Sequence, residues 1–164
     1  MPEGTAHFDA LYKCHAPGVF RRARRLMGSD ADAHEIVQDV FLSLFERPDQ
    51  YGGRSALTTF LYSATTHACL NRIRNRKNRL RLLEESHSMR TAAETTQLSP
   101  EQLSLVHRTL EDMPEELAQV AVYYCVDDLS HDDIARILGC SRRHVGNLLE
   151  RVAEWGRARE QTPC

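Results

Sequence analysis

Residues 130–153 read SHDDIARILGCSRRHVGNLLERVA, and the order of residue types in this stretch predicts two short helices joined by a tight turn. Ser130 followed three residues later by Asp133 has capping-box spacing, in which a hydroxyl accepts from a backbone N–H that the first helical turn leaves unpaired. Ala135 is small where two helices must cross closely. Gly139 falls where the chain needs a positive φ to leave the first helix. Ser141 can cap the second helix, and Val145, Leu148, Leu149 and Val152 recur at helical spacing as its buried stripe. The rest of that helix carries Arg142, Arg143, His144, Asn147 and Arg151, donors able to reach base edges and phosphates. An ordinary helical hairpin with a solvated basic face shares the general pattern. A small residue, a glycine turn and an apolar stripe between two successive caps favour a DNA-binding helix-turn-helix.

Outward from this motif the apolar spacing stays helical. Phe8, Leu11 and Tyr12 predict a short amphipathic helix that Pro17 ends, since proline suits the first turn of the next helix. Val19, Ala23, Leu26 and Met27 continue at helical spacing to Gly28. Asp30 can cap a third helix with Ile36, Val37, Val40, Phe41, Leu44 and Phe45 on its apolar face. Pro48 and Gly52–Gly53 mark a loop. Ser55 opens a long helix with Leu57, Phe60, Leu61, Ala64 and Ala68 facing inward, extending to about Leu82. Residues 84–100, EESHSMRTAAETTQLSP, are polar and read as a flexible linker. Helices at about 100–112, 115–127, 131–138 and 142–157 follow, with the run Val120–Val126 fitting a buried helical segment. The expectation is an all-α protein of two small helical bundles, residues 1–83 and 101–160, tethered by 84–100.

Charge is segregated along the chain. The 164 residues carry a net charge of −2. Residues 1–83 hold 13 Lys/Arg against 8 Asp/Glu, and residues 84–164 hold 8 against 15. No carboxylate occurs between Asp49 and Glu84, whereas Arg54, Arg72, Arg74, Arg76, Lys77, Arg79 and Arg81 all fall there. A merely soluble helix face interleaves both signs, because i,i+4 pairs stabilise it. Seven uncompensated cations therefore point to a polyanion. Tyr51, Phe60, Tyr62 and His67 lie just upstream and offer stacking surfaces for unpaired bases. Phe60 sits at core spacing, which leaves Tyr51 or Tyr62. The helix over 30–47 has the opposite character: Glu35, Gln38, Asp39, Leu42, Ser43 and Glu46 face away from its apolar stripe. Such a face is ordinarily just solvated; an exposed Leu42 among carboxylates hints at a basic protein partner.

Three segments together resemble the extracytoplasmic-function sigma factors. Residues 33–51, AHEIVQDVFLSLFERPDQY, resemble that family's second region, with acidic–x–x–Gln–acidic followed by an aromatic. Residues 60–79, FLYSATTHACLNRIRNRKNR, resemble its promoter-melting and −10-reading helix. Residues 129–152, LSHDDIARILGCSRRHVGNLLERV, resemble its −35-reading helix-turn-helix. The likeness implies core RNA polymerase as partner, through the β′ clamp and the β subunit. Glu35, Gln38 and Asp39, with Leu42 and Glu46 on the same face, would dock on the clamp's basic coiled coil. It implies that Tyr51, Arg54, Tyr62, His67, Asn71, Arg72, Arg74, Arg76 and Lys77 hold the melted −10 strand. Arg142, Arg143, His144, Asn147 and Arg151 would enter the duplex −35 major groove. An anti-sigma factor is a common partner in that family. His67 and Asn71 stand where the family often has Asn and Asp, and His144 and Gly146 where Thr and a basic residue are common. Gly146 costs roughly 1 kcal/mol of helix propensity relative to Ala, and leaves room for close approach to DNA or to another helix.

Other functions fit less of the pattern. There is no Walker-type glycine loop, nucleophile elbow or H-E-x-x-H, and the eight histidines are dispersed, so neither catalysis, metal nor cofactor is expected. A stand-alone helix-turn-helix regulator would need neither the acidic nor the basic helix of the first half. A pure interaction protein occupying the polymerase clamp would not need the DNA-binding motif. No run of about 18 apolar residues exists to span a membrane, and the start MPEGTAHFDAL does not read as a signal peptide. The five cysteines lack C-x-x-C pairing, which suggests reduced thiols in a cytoplasm, most of them small core hydrophobes.

Overall fold

Gly28 and Ser29 make the first corner of the chain. Gly28 takes φ +72°, a backbone state that ends a helix without a Cβ penalty. Ser29 is then extended, and its hydroxyl accepts from the Asp32 N–H at 3.3 Å. Ser29, not Asp30, is thus the cap; Asp30 is the first helical residue, and its carboxylate pairs with Arg24 at 2.8 Å across the corner. A computed structural model of the chain describes residues 2–53, 56–82 and 98–160, with side chains over 6–53, 56–76 and 98–160.

The helices are α1 (Pro2–Met27), α2 (Asp30–Glu46), α3 (Leu57–Leu82), α4 (Pro100–Asp112), α5 (Glu115–Ala121), α6 (His131–Leu138) and α7 (Arg142–Glu160). A single 3-10 turn, Pro48–Gln50, follows α2, and α5 widens into a π-helical turn over Val122–Val126. No strand occurs among the described residues. The chain divides into two compact units, Met1–Arg108 and Thr109–Cys164, with the division inside α4. Most of the expected linker, residues 84–97, lies outside the described residues. At its end Ser99 and Gln102 form a reciprocal capping box, N–H to Oε1 at 2.8 Å and N–H to Oγ at 3.2 Å, which starts α4 with Pro100 in its first turn.

In unit 1, α1, α2 and α3 pack pairwise around Val19, Ala23, Leu26, Ile36, Val37, Val40, Phe41, Leu44, Leu61, Leu70 and Ile73. Three features of unit 1 differ from the expectation. α1 runs unbroken through Pro17, which is exposed, so the carbonyl that its missing N–H leaves unpaired is on the solvent side. Phe45 is 59% exposed, past the edge of the α2 stripe, with its ring 5.0 Å from Phe8. The inward face of α3 is Leu61, Thr65, Thr66, Cys69, Leu70 and Ile73, whereas Leu57, Phe60, Ala64 and Ala68 are only half-buried. Thr65 and Thr66 are fully buried because their hydroxyls donate to the Leu61 and Tyr62 carbonyls one turn back, at 2.6 and 2.9 Å. A reading that counts threonine as polar misses this.

Cysteines also depart from expectation. Of those described, only Cys69 is buried, Cys14 and Cys125 are exposed and Cys140 is half-buried. Burial pushes the Cys69 thiol up to about 12, so it stays protonated and acts as a core hydrophobe. In unit 2, Leu117, Val120, Tyr123, Ile134, Val145 and Leu148 form the core joining α5, α6 and α7. Gln119, also buried, donates to the Tyr123 hydroxyl at 3.1 Å.

Candidate polymerase and nucleic-acid interfaces

The helix-turn-helix is built from local hydrogen bonds. The Ser130 hydroxyl accepts from the Asp133 N–H at 3.2 Å and donates to the Asp133 carboxylate at 2.6 Å. That bond from Ser130, helped by Arg136, holds the Asp133 carboxyl below its ordinary range. Gly139 takes φ +65° with open space where a Cβ would stand, so backbone conformation, not crowding, selects glycine. The Ser141 hydroxyl accepts from the His144 N–H at 3.1 Å and starts α7. Ala135 on α6 is buried where that helix packs on α7.

All five donors assigned to the recognition helix are exposed, but their surroundings differ. Arg142 sits 3.6 Å from Asp132, and Arg151 donates to Glu116 of α5 at 3.1 Å. His144 approaches the other oxygen of Glu116 at 3.8 Å. Among the described residues neither the Arg143 nor the Asn147 side chain has an ion-pair or hydrogen-bond partner. Nothing lies within 4 Å of a Cβ built on Gly146, so close approach of another helix does not explain that glycine.

In unit 1 the outer face of α2 carries Glu35, Gln38, Asp39, Leu42, Ser43 and Glu46, all exposed, with Leu42 at 56%. Glu35 is not simply solvated. Arg72 reaches from α3 to bond both Glu35 and Asp32, its Nε lying 3.0 Å from the Asp32 carboxylate. Partial burial pulls the Arg72 guanidinium down, but the hydrogen bonds and charges of Glu35 and Asp32 outweigh it and leave the group above its ordinary range. The basic tract is therefore not wholly uncompensated. Asp32 escaped sequence reading because an acidic residue in a first helical turn already has an explanation in the helix dipole.

Farther along α3, Asn71 is exposed and His67, Arg74 and Arg76 are half-buried. Arg54 and the side chain of Lys77 lie outside the described residues. Tyr51 packs edge-on to Phe60 with centroids 5.7 Å apart, after Gly52 and Gly53, both at positive φ, turn the loop. Tyr62 is half-buried, with the Arg22 guanidinium 3.5 Å above its ring centroid. Among the described residues no group of His, Cys, Asp and Glu is arranged to hold a metal, and no helix is long and apolar enough to cross a membrane.

Comparison with known proteins matches two separate stretches of the chain. Residues 11–79 match the sigma-70 region 2 family and residues 103–154 the sigma-70 region 4 family. The ECF RNA polymerase sigma factor SigE of Mycolicibacterium smegmatis is 28% identical over 170 residues, covering 92% of this chain and 65% of that protein. The ECF RNA polymerase sigma-E factor of Escherichia coli is 28% identical over 141 residues, covering 79% of this chain and 71% of that one. In fold, the chain is similar to the sigma factor RpoE of Bartonella quintana, solved with the anti-sigma factor NepR. That match has a TM-score of 0.54 and 17% identity, and covers 90% of this chain and 92% of the other. Region 2 followed by region 4, with extracytoplasmic-function sigma factors as relatives, separates this protein from stand-alone helix-turn-helix regulators: the chain belongs to the ECF family of RNA polymerase sigma factors.

Proposed function

We propose that this chain initiates transcription by binding core RNA polymerase, reading −35 and −10 promoter elements and stabilising the melted −10 strand. The observation that carries the proposal is the separation of opposite charge on unit 1. Gln38, Asp39, Leu42 and Glu46 line the outer face of α2, while α3 carries Arg74 and Arg76, both half-buried. The first face suits a basic protein surface such as the β′ clamp; the second suits the phosphate backbone. Residues 1–83 would then serve polymerase and −10 binding, 84–100 the tether, and 101–160 the −35 element, with the β subunit a further polymerase contact.

Within the −10 set, Tyr51 and Tyr62 supply aromatic surface, His67 and Asn71 polar contacts, and Arg54, Arg74, Arg76 and Lys77 phosphate neutralisation. Arg72 first braces α3 on α2. Arg142, Arg143, His144, Asn147 and Arg151 address the −35 groove. A chain of this kind works in the cytoplasm, acts without catalysis of its own, and is open to sequestration by an anti-sigma factor. Open-complex formation and run-off transcription with core polymerase test the proposal. Gln38→Ala with Asp39→Arg should weaken core binding and leave the fold intact. Unchanged core affinity, or tight promoter binding without polymerase, would count decisively against it.

A further inference from the structure

We propose that Arg22, on α1 and outside the basic tract, is a positioning residue that sets Tyr62 as a stacking surface for an unpaired base of the melted strand. This rests on the assignment of Tyr62 to −10 binding given above. Arg22 grips Tyr62 by two routes. Its guanidinium carbon lies 3.5 Å over the ring centroid, within the range of a close cation–π contact. Its Nε and Nη2 both donate to the Thr66 hydroxyl, at 3.1 and 2.8 Å. Thr66 is fully buried, and its one hydroxyl proton goes to the Tyr62 carbonyl at 2.9 Å. A single side chain of α1 thus holds the ring directly and the backbone of the same residue through one hydrogen-bonded intermediary.

The chemistry of this arrangement differs from packing alone. A buried hydroxyl with both donor and acceptor capacity used cannot rotate freely, so the fork that bonds it has a defined plane. The planar guanidinium lies over the ring it positions, which a lysine ammonium cannot reproduce. A tyrosine ring held in one orientation loses less freedom when a base stacks on it, and a fixed positive charge beside that ring favours a base carrying its phosphate. The ligand class is an unpaired nucleotide; fully paired DNA offers no such base.

The test uses full-length protein reconstituted with core polymerase. The probe is a labelled fork-junction DNA whose −10 non-template strand is single-stranded, with its sequence taken from promoters that wild-type holoenzyme enriches from a randomised −10 library. Tyr62→Ala is expected to weaken fork-junction binding by roughly tenfold or more, and Arg22→Ala by roughly two- to fivefold. Arg22→Lys should recover little of the loss while keeping the charge and the fold. The double variant should bind no worse than Tyr62→Ala alone, and core affinity should be unchanged throughout. An additive double variant, full recovery with lysine, or an Arg22→Ala loss equal on fully duplex DNA would overturn the role of Arg22. If Tyr62→Ala itself leaves fork-junction binding intact, the stacking role of Tyr62 is what has failed, and the inference falls with it.

Discussion

Removing the Arg72 guanidinium should cost stability in unit 1 rather than phosphate contacts. Arg72 and Asp32 are 26% and 22% exposed, joined at 3.0 Å, whereas Glu35 is 58% exposed. A charge-assisted hydrogen bond with both partners mostly out of water contributes about 1–2 kcal/mol, between the values for exposed pairs and for buried charged bonds. The Glu35 branch, open to solvent and salt, should add no more than about 0.5 kcal/mol. A double-mutant cycle on Arg72→Met and Asp32→Asn, read by thermal or urea unfolding, isolates the first figure from packing changes. For a bundle of this size the Arg72 variant should lower the midpoint by about 5–15 °C. The functional half of the experiment is the salt dependence of promoter-complex affinity. A phosphate contact shallows the log–log slope by roughly one unit when neutralised, so Arg74→Ala or Arg76→Ala should do so and Arg72→Met should not. A coupling energy near zero together with a full unit of lost slope for Arg72 would refute this reasoning and make Arg72 a phosphate ligand.

Arg143→Ala should relax preference at one or two −35 base pairs, each worth about 1–3 kcal/mol of discrimination, whereas Arg151→Ala should weaken all promoters alike, because the Arg151–Glu116 pair, 53% and 54% exposed, is weak enough to yield to a phosphate; transcription from a library of −35 variants separates the two. Gly139→Ala should destabilise unit 2 by about 1–2 kcal/mol through left-handed strain, and Gly146→Ala should stabilise it by about 0.5–1 kcal/mol, as unfolding midpoints of the two variants would report. Because the folded state depresses the Asp133 carboxyl, its contribution is complete above the ordinary aspartate range and is lost as pH falls through the depressed value. Acid titration of wild type against Ser130→Ala should show a weaker pH dependence in the variant, where Arg136 alone still favours the carboxylate, and an equal dependence in both would remove Ser130 as its main cause.

The helix-turn-helix was legible in the sequence because its determinants act over one turn. Ser130 and Ser141 each bond an N–H three residues away, and Gly139 is selected by its own φ. The polar outer face of α2 was legible for a similar reason, since its core stripe Ile36, Val37, Val40, Phe41 and Leu44 recurs at helical period. What failed were inferences that assumed a residue type has one environment. Pro17 was expected to end a helix that packing carries through it. Thr65 and Thr66 fall outside the apolar spacing that predicts the inward face of α3, yet both are buried because their hydroxyls turn back onto the helix.

Sequence alone therefore determined the all-helical class, the order of the two functional blocks and the cap-to-cap architecture of the recognition motif. All of these rest on backbone conformation and on hydrogen bonds between near neighbours. Only the tertiary structure decided which charges are already satisfied. Arg72 meets Asp32 across 40 residues and Arg22 meets Thr66 across 44. Such pairs depend on how α1, α2 and α3 pack, and an arginine spent on a carboxylate or a hydroxyl of the same chain looks, in sequence, identical to one waiting for a phosphate.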